Sequence, residues 1–324
     1  SRPISSAADW GIRRGHILEN MQAVMGEVVD PADLDFDVEY EESIRFERFT
    51  RHKITFQVEK GDRLPAYLLI PHDVQEAVPG VLCLHPTSRV GKGMVVGLGD
   101  RVNRNYAEEL ATRGYVTLAP DYPGFGDYEI DVYGMGYVSA TVKGIFNHRR
   151  CLDFLASLPE VDGERMGAIG HSLGGHNALY LAAFEPRVKA VVTSCGFNSF
   201  AKYKGGDLTG WSHKGYMPRI AEVYGRDPAR MPFDFTEVLG AIAPRALFIS
   251  GPLHDANFEV SGVRDCVRAA EPVYELLGHS DNLQVVYPDC EHDFPPDVRE
   301  QAYAFLDESL SRVEGAVGAP GKGR

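Results

Sequence analysis

The sequence predicts an α/β fold, in which a mostly parallel, twisted sheet carries helices on both faces. Six short apolar runs, each bounded by turn residues, alternate with stretches of helical periodicity between residues 80 and 312. Because strands that alternate with helices need crossover connections, this order favours a parallel sheet covered on both sides. The chain has 324 residues, of which 44% are hydrophobic and 24% charged, which suits one large globular core.

The N-terminal part differs from this alternation. Apolar residues recur at helical spacing from about Ala8 to Gly26, and we expect the acidic residues 27–43 to form a solvated loop. Two strand-like runs follow, Ile44–Glu59 and Arg63–Ile70, joined by a short turn that contains glycine. The pattern predicts a helical N-terminal arm over residues 1–43 and then an antiparallel hairpin.

The alternating part predicts the organisation of a single domain. Strands are predicted at residues 80–85, 115–119, 166–171, 189–194, 245–250 and 283–288, and helices at residues 101–113, 140–157, 173–184, 262–277 and 296–312. Residues 197–235 hold aromatic residues and glycines without a strand pattern, which predicts a lid-like insertion. The core is expected over residues 44–196 and 236–314, and a flexible tail over residues 315–324.

Composition argues against several classes of partner. There are 33 Lys and Arg against 46 Asp and Glu, a formal net charge of −13, so nucleic acid is not an expected partner. The longest apolar runs are far shorter than the roughly 20 residues that cross a bilayer, so no membrane association is expected. Five cysteines are scattered singly without metal-binding spacing, so no metal site is expected; they are Cys83, Cys151, Cys195, Cys266 and Cys290.

Location and oligomeric state stay open from the sequence. Single cysteines among apolar residues favour a reducing compartment such as the cytoplasm. The chain begins at Ser1 rather than Met, so a removed leader, and with it a periplasmic or secreted location, is the alternative. A homodimer is one of the oligomeric states that the sequence allows.

The sharpest motif is Gly170-His171-Ser172-Leu173-Gly174-Gly175. It lies between a predicted strand and a predicted helix, as a nucleophile elbow does. Glycines permit the tight turn, and the helix N-terminus favours negative charge beside the serine. We therefore expect Ser172 to be a nucleophile. His171 should point away from the site if its neighbour points into it, so we interpret it as a packing residue.

A serine nucleophile needs a base that a third group orients, in the chain order serine, acid, histidine. Asp255 follows the strand predicted at 245–250, and His292 follows the strand predicted at 283–288. Both loops leave the carboxyl ends of strands, the edge where the serine also emerges. Competing residues are His254 for the base and Glu259 or Asp289 for the acid.

The reaction also needs donors for a developing oxyanion. One is expected to be the backbone N–H of Leu173, next to the nucleophile. The other should come from the loop His85-Pro86-Thr87; because proline has no N–H, the sequence indicates Thr87.

Candidate substrate contacts lie in three segments. Arg89 and Lys92 are in a glycine-rich loop, where they are either solvated or supply a cation for a polar substrate. Tyr122 follows a strand at the same sheet edge, and Trp211 and Tyr216 lie in the insertion. These aromatic residues either contact the substrate or form the insertion's own core.

These motifs, with Asp121-Tyr122-Pro123-Gly124-Phe125-Gly126, resemble the α/β-hydrolase superfamily. The nearest branch is that of dienelactone hydrolases and acetyl xylan esterase-like proteins. The resemblance covers about residues 44–312 and implies a Ser–His–Asp ester hydrolase without a cofactor. Two departures concern the substrate: dienelactone hydrolases use a cysteine where this chain has Ser172, and carbohydrate acetyl esterases usually carry glutamine where it has Leu173.

The sequence therefore predicts a serine carboxylic ester hydrolase that acts through an acyl-enzyme. The resemblance implies a short-chain acyl ester as substrate, with an acetylated carbohydrate as one candidate. The alternatives are an amidase or peptidase of the same fold and a non-catalytic binding protein on a hydrolase scaffold. Three side chains in the expected order favour catalysis.

Overall fold

A nine-stranded sheet forms the centre of the protein in a computed structural model that describes residues 4–311. The strands, numbered in chain order, are β1 (Glu39–Arg45), β2 (Phe49–Glu59), β3 (Asp62–Pro71), β4 (Val78–Leu84), β5 (Val116–Pro120), β6 (Val161–His171), β7 (Val188–Ser194), β8 (Ala246–Ser250) and β9 (Leu283–Val286). Their spatial order is β1-β2-β3-β5-β4-β6-β7-β8-β9. The first three pair antiparallel, β3 joins β5 antiparallel, and β5, β4, β6, β7, β8 and β9 run parallel.

Helices cover both faces of this sheet. They are α1 (Ala7–Met25), α2 (Tyr106–Thr112), α3 (Ala140–Ser157), α4 (Leu173–Phe184), α5 (Arg219–Glu222), α6 (Phe235–Ile242), α7 (Val260–Leu276) and α8 (Pro296–Ser309). One apolar cluster holds side chains of α1, α3, α4, α6 and α7, and a second holds side chains of α2 and α8. Two separate cores are the consequence of a sheet that is apolar on both faces, so the predicted layering is confirmed.

The parallel strands bring their carboxyl ends to one edge of the sheet. β4 pairs with β6 from Val78↔Val161 to Leu84↔Gly170, and β8 pairs with β9 from Leu247↔Leu283. The loops after β4, β6, β8 and β9 therefore leave from the same edge, where the predicted site residues lie.

The N-terminal arm differs from the expectation at its end. The predicted helix is present, but residues 39–45 form the edge strand β1, so the run predicted from Ile44 to Glu59 is two strands. Every side chain of β1 is exposed. Main-chain pairing with β2 and an ion pair from Lys53 to Glu41 hold it, with Nζ and Oε2 3.0 Å apart. A strand that buries neither face has no apolar alternation to detect.

The insertion contains short helical turns and no strand, as predicted, but its end differs from the expectation. Helix α6 begins at Phe235, where the side chain of Asp234 accepts a hydrogen bond from the Phe235 N–H. Six of its eight residues are buried, and a helix of about two turns is too short for sequence periodicity to identify.

Three further boundaries bear on the predictions. The helix predicted at 101–113 is a helical turn, Val102–Arg104, followed by α2. The helix predicted at 296–312 ends at Ser309, and the predicted tail, residues 315–324, lies outside the described residues.

Within residues 4–311, no helix combines the length and the hydropathy that crossing a membrane requires.

Candidate active site

Ser172 lies in the turn between β6 and α4, with a strained backbone. Its φ is 54° and its ψ −116°, values that a non-glycine residue rarely adopts. Close packing on both sides enforces the turn. A Cβ on Gly170 would collide with the backbone of Gly174, and a Cβ on Gly174 would collide with the carbonyl of Leu84. The strand–turn–helix context predicted for the serine is thus present, and the hydroxyl sits at a helix N-terminus.

Asp255 and His292 form a hydrogen-bonded pair beside this turn. His292 Nδ1 and Asp255 Oδ2 are 2.8 Å apart, and the Asp255 side chain is fully buried. The same carboxylate accepts hydrogen bonds from the backbone N–H groups of Asn257, at 2.8 Å, and Phe258, at 3.0 Å. Because Nδ1 is engaged, the ring has its Nε2 left for proton transfer.

Two opposing effects act on the pKa of Asp255. Burial raises it, whereas the hydrogen bond and charge of His292 and the two backbone donors lower it, and the pKa is below its ordinary value. The carboxylate is therefore ionised at neutral pH and can only accept hydrogen bonds. Such an acceptor fixes the proton of His292 on Nδ1.

Ser172 and His292 line one cavity of about 390 Å³. Thr87 lines the same cavity, with three charged side chains that the sequence did not indicate, Asp100, Arg101 and Arg104. Within the described residues, no hydrogen bond joins the Ser172 hydroxyl to His292. Catalytic hydrogen bonds are often loose in unliganded enzymes and tighten when substrate binds.

His171 is buried, as expected of a packing residue, but it also lines the cavity. Its Nδ1 is 3.1 Å from Ser194 Oγ, and its ring centroid is 4.9 Å from that of His292. The expectation that it points away from the site was wrong. It assumed regular strand alternation, which the positive φ of Ser172 interrupts.

The neutral state of His171 has a clear cause. Burial, followed by the charges of Arg104 and His292, holds the pKa of His171 well below its ordinary value. A neutral neighbour would not repel a positive charge on His292.

The competing acids and base lie away from this pair. His254 Nε2 is 2.7 Å from Asp289 Oδ1, and both side chains are mostly exposed. Glu259 precedes α7 and accepts a hydrogen bond from the Ser261 N–H. Neither His254 nor Glu259 lines the cavity that Ser172 lines, whereas His292 does, so Asp255 and His292 are the acid–histidine pair at the serine.

The two predicted oxyanion donors take positions at the expected edge. Leu173 is the first residue of α4, and Thr87 lines the cavity. The loop that carries Thr87 is fixed by His85, whose Nδ1 is 2.7 Å from the carbonyl oxygen of Pro86 and whose Nε2 accepts a hydrogen bond from the Tyr122 N–H at 2.9 Å. Whether the two amides bind an oxyanion stays a prediction.

The four predicted substrate contacts do not line the cavity. Arg89 is exposed on the loop after β4. Tyr122 is buried and donates a hydrogen bond to the Gly215 carbonyl at 3.0 Å. Trp211 is buried among the aromatic rings of the insertion, against Tyr216 with centroids 5.9 Å apart. Their surroundings favour a structural role, and a contact with substrate stays untested.

Lys92 is neither solvated nor a free cation. It is buried, and its Nζ lies 2.6 Å from Asp121 Oδ2 and 2.7 Å from Asp127 Oδ2. The expectation from the sequence was wrong because the partners lie 29 and 35 residues further along the chain. Arg101 and Arg104 line the cavity instead; they fall in the segment predicted as the start of a helix, where no spacing marks them.

Cys195 lies beside the histidine–aspartate pair. Its Sγ, a carboxylate oxygen of Asp255 and a ring nitrogen of His292 are all within 4.8 Å of one another. The thiol is buried, and burial raises the pKa of Cys195 well above its ordinary value. A protonated, buried thiol is inert, so this cysteine packs against the pair.

Two family models match the chain. A model of FrsA-like esterases matches residues 27–200, which is more than half of the chain. A model of fungal glucuronyl esterases matches residues 130–278. The first match includes the Ser172 turn and the second includes both that turn and Asp255.

Individual relatives agree with these matches. The putative hydrolase YtaP of Bacillus subtilis (strain 168) is 27% identical over 263 residues, which are 77% of this chain and 84% of YtaP. A glucuronoyl esterase from Solibacter usitatus has a similar structure, with a TM-score of 0.76 at 18% identity over 96% of this chain and 95% of that one. Acetyl xylan esterase 1 from Thermoanaerobacterium sp. JW/SL YS485 gives a TM-score of 0.58 at 20% identity over 91% and 99%. At 18% and 20% identity, these two similarities show that the chain shares the fold of the two esterases.

Proposed function

The chain belongs to the FrsA-like esterase family, and from this premise we propose that Ser172, His292 and Asp255 are the catalytic triad of a carbohydrate esterase. Membership of this family confirms the prediction of a carboxylesterase-type hydrolase, and the similar structures confirm the α/β-hydrolase fold. The observation that carries the triad is the buried Asp255–His292 hydrogen bond beside a cavity that Ser172 also lines.

In the proposed reaction, Ser172 Oγ attacks the ester carbonyl while His292 Nε2 takes its proton. Asp255 holds the ring and stabilises the imidazolium. His292 then gives the proton to the leaving alcohol, and an acyl-enzyme remains. Water, deprotonated by the same histidine, attacks the acyl group. The bond to Ser172 Oγ breaks, His292 returns the proton to that oxygen, and the acid leaves.

The backbone N–H groups of Leu173 and Thr87 are the proposed oxyanion donors. Leu173 opens α4, where amide N–H groups have no partner within the helix and the helix dipole favours negative charge. One such donor commonly contributes about 10²–10³-fold to kcat. No metal or cofactor takes part in this scheme.

The proposed substrate is an ester of a carbohydrate. Asp100 and Arg101 give the cavity wall charged, exposed side chains, and Thr87, Ser88 and Asn257 add polar groups. Such a wall suits hydroxyl-rich substrates better than long acyl chains. The names of the relatives support the same class, since glucuronoyl and acetyl xylan esterases are among them.

A matched substrate panel tests this proposal. Wild-type protein and a Ser172→Ala variant are assayed on 4-nitrophenyl acetate, 4-nitroacetanilide, acetylated xylose and the methyl ester of glucuronic acid. We expect the wild type to hydrolyse the esters, with at least one sugar ester preferred, and the variant to lose at least about 10³-fold in kcat. Faster cleavage of the anilide would favour an amidase, and no cleavage of any compound would favour the binding protein.

A further inference from the structure

The loop that carries His292 is held from outside by an arginine that no known role explains. It connects β9, which ends at Val286, with α8, which begins at Pro296. Backbone hydrogen bonds from the loop after β8 hold its first part, whereas beside His292 the described backbone contributes one, from the Asp293 N–H to the Glu291 carbonyl at 2.7 Å. A loop of this kind needs outside contacts to fix a side chain within the tolerance that catalysis requires.

Arg104 provides several of these contacts. Its Nη1 donates to Asp293 Oδ1 at 2.5 Å, and its Nη2 donates to the main-chain carbonyl of His292 at 3.3 Å. Its Nη1 also donates to the carbonyl of Asn103 at 2.9 Å, which fixes the guanidinium to its own loop. The Arg104 side chain is 3% exposed and that of Asp293 is 35% exposed, so the guanidinium is shielded from bulk water while its acidic partner is only partly buried.

A second arginine extends the attachment to two helices. Arg299 of α8 donates to the carbonyl of Phe294 at 2.7 Å and to Asn103 Oδ1 at 3.1 Å. Its other donors meet both carboxylate oxygens of Glu109 in α2, each at 2.9 Å. The histidine loop is thereby connected through side chains to α2 and α8, which are packed on one face of the sheet.

The charge of Arg104 is balanced locally. The hydrogen bonds from Arg104 and Asn103 outweigh burial and lower the pKa of Asp293, so the pair is ionised. An unbalanced cation beside His292 would oppose formation of the imidazolium. Asp293 removes that penalty and leaves Arg104 its geometric effect, a planar set of donors that a lysine does not reproduce.

We propose that Arg104 is a positioning residue for His292, acting through the His292 carbonyl and the Asp293 carboxylate. This proposal rests on the proposed role of His292 as the catalytic base. Removing the guanidinium frees the loop to shift, which weakens the Asp255–His292 hydrogen bond and misaligns Nε2 towards Ser172. A misplacement of about 1 Å can cost on the order of 10²-fold in rate.

The test compares Arg104→Gln and Arg104→Lys with a control, Arg113→Gln. Arg113 also forms ion pairs with acidic residues, Glu300 and Asp307, but it contacts no part of the histidine loop. We expect Arg104→Gln to lower kcat by about 10- to 100-fold with KM within about threefold, Arg104→Lys to recover part of the loss, and the control to match the wild type.

A second readout follows the histidine without any substrate. The Nδ1 proton of His292, shared with Asp255, should give a far-downfield proton NMR signal that a His292→Ala variant lacks. We expect Arg104→Gln to weaken or broaden it. This signal is independent of hydrolysis: if the wild type cleaves no ester but its signal depends on Arg104, the proposed function fails and the positioning role stands.

Two results would overturn the proposal. One is a kcat loss with an unchanged downfield signal, which would show a purely structural role. The other is a raised KM with an unchanged kcat, which would make Arg104 a substrate contact of the cavity that it lines. If Arg104→Gln does not fold, Asp293→Asn takes its place. This variant removes the ion pair but keeps the hydrogen bond from Arg104 to the His292 carbonyl, and either of the two results in this variant would overturn the proposal.

Discussion

At the residue scale, the site depends on which protonation states its surroundings permit. Asp255 is held ionised because three hydrogen-bond donors outweigh the cost of burying its charge. The His171 ring, whose centroid is 4.9 Å from that of His292, stays neutral because burial and nearby positive charge lower its pKa. The proposed base therefore has an anion on one side and an uncharged ring on the other.

We predict that Asp255→Asn lowers kcat by about 10³–10⁴-fold with little loss of stability. The amide keeps the shape of the carboxylate, but it loses the charge that stabilises the imidazolium and can turn an N–H towards Nδ1, which favours the wrong tautomer. The control is Asp289→Asn, which alters the exposed pair with His254. Steady-state kinetics decides: equal effects of the two substitutions would mean that Asp255 is not the acid.

At the element scale, the turn from β6 into α4 is defined by backbone contacts as much as by its serine. Gly174 packs against the carbonyl of Leu84 at the end of β4, and Gly175 packs against Gly196 after β7. The glycines allow the helix N-terminus to approach two neighbouring strands closely. The strained φ of Ser172 persists because these contacts leave no room for relaxation.

We predict that Gly174→Ala destabilises the protein by about 1–3 kcal/mol and also lowers kcat, because the new Cβ forces the backbone beside Ser172 to shift. Gly11→Ala in α1 is the control, since nothing lies within 4 Å of an added Cβ there. That substitution should leave activity unchanged and increase helix stability by up to about 1 kcal/mol. Thermal unfolding and kinetics of both variants provide the comparison; equal behaviour would refute the close-packing argument.

The elements show why part of this structure could be predicted from sequence. Five of the six parallel strands contain buried apolar runs, and β9 is half-buried. Ser172, Asp255 and His292 each follow one of the six, so local patterns were sufficient. The sequence did not predict β1, because this strand buries no side chain. It also did not predict the contacts of Arg104 and Lys92, because these contacts join residues far apart in the chain and leave no local spacing pattern.

At the scale of the whole molecule, buried histidines couple stability to pH. Burial lowers the pKa of His148 and of His176 to about 3, and it also lowers the pKa of His85 and of His171. The unfolded chain binds a proton at each of them near pH 6.5, whereas the folded protein binds it only at lower pH, which is near pH 3 for His148 and His176. Between those values the unfolded state holds more protons, so stability falls as the pH falls.

We predict that the free energy of unfolding is nearly constant between about pH 7 and 7.5 and decreases below pH 6.5. Each such histidine contributes up to about 1.4 kcal/mol per pH unit once the pH is well below 6.5. Asp234 has the opposite effect on stability. Burial raises its pKa to about 6, so below that pH the folded chain binds a proton that the unfolded chain does not yet bind. This single carboxyl group can cancel the contribution of one histidine at most.

Urea unfolding at pH 7.5, 6.5 and 5.5 measures this dependence. A His148→Gln variant should have a smaller decrease between pH 6.5 and 5.5 than the wild type, because one group that takes up a proton on unfolding is gone. Gly11→Ala changes no titratable group and is the control, so its pH dependence should match that of the wild type. Stability that is independent of pH from 7.5 to 5.5 would contradict the burial of neutral histidines.

The most direct test of the catalytic account is covalent labelling with a fluorophosphonate, followed by mass spectrometry of the peptides. The account predicts one label per chain, on Ser172, with labelling slowed by at least about 10²-fold in His292→Ala. A protein that hydrolyses esters but carries the label on another residue, or labels at the same rate without His292, would contradict it.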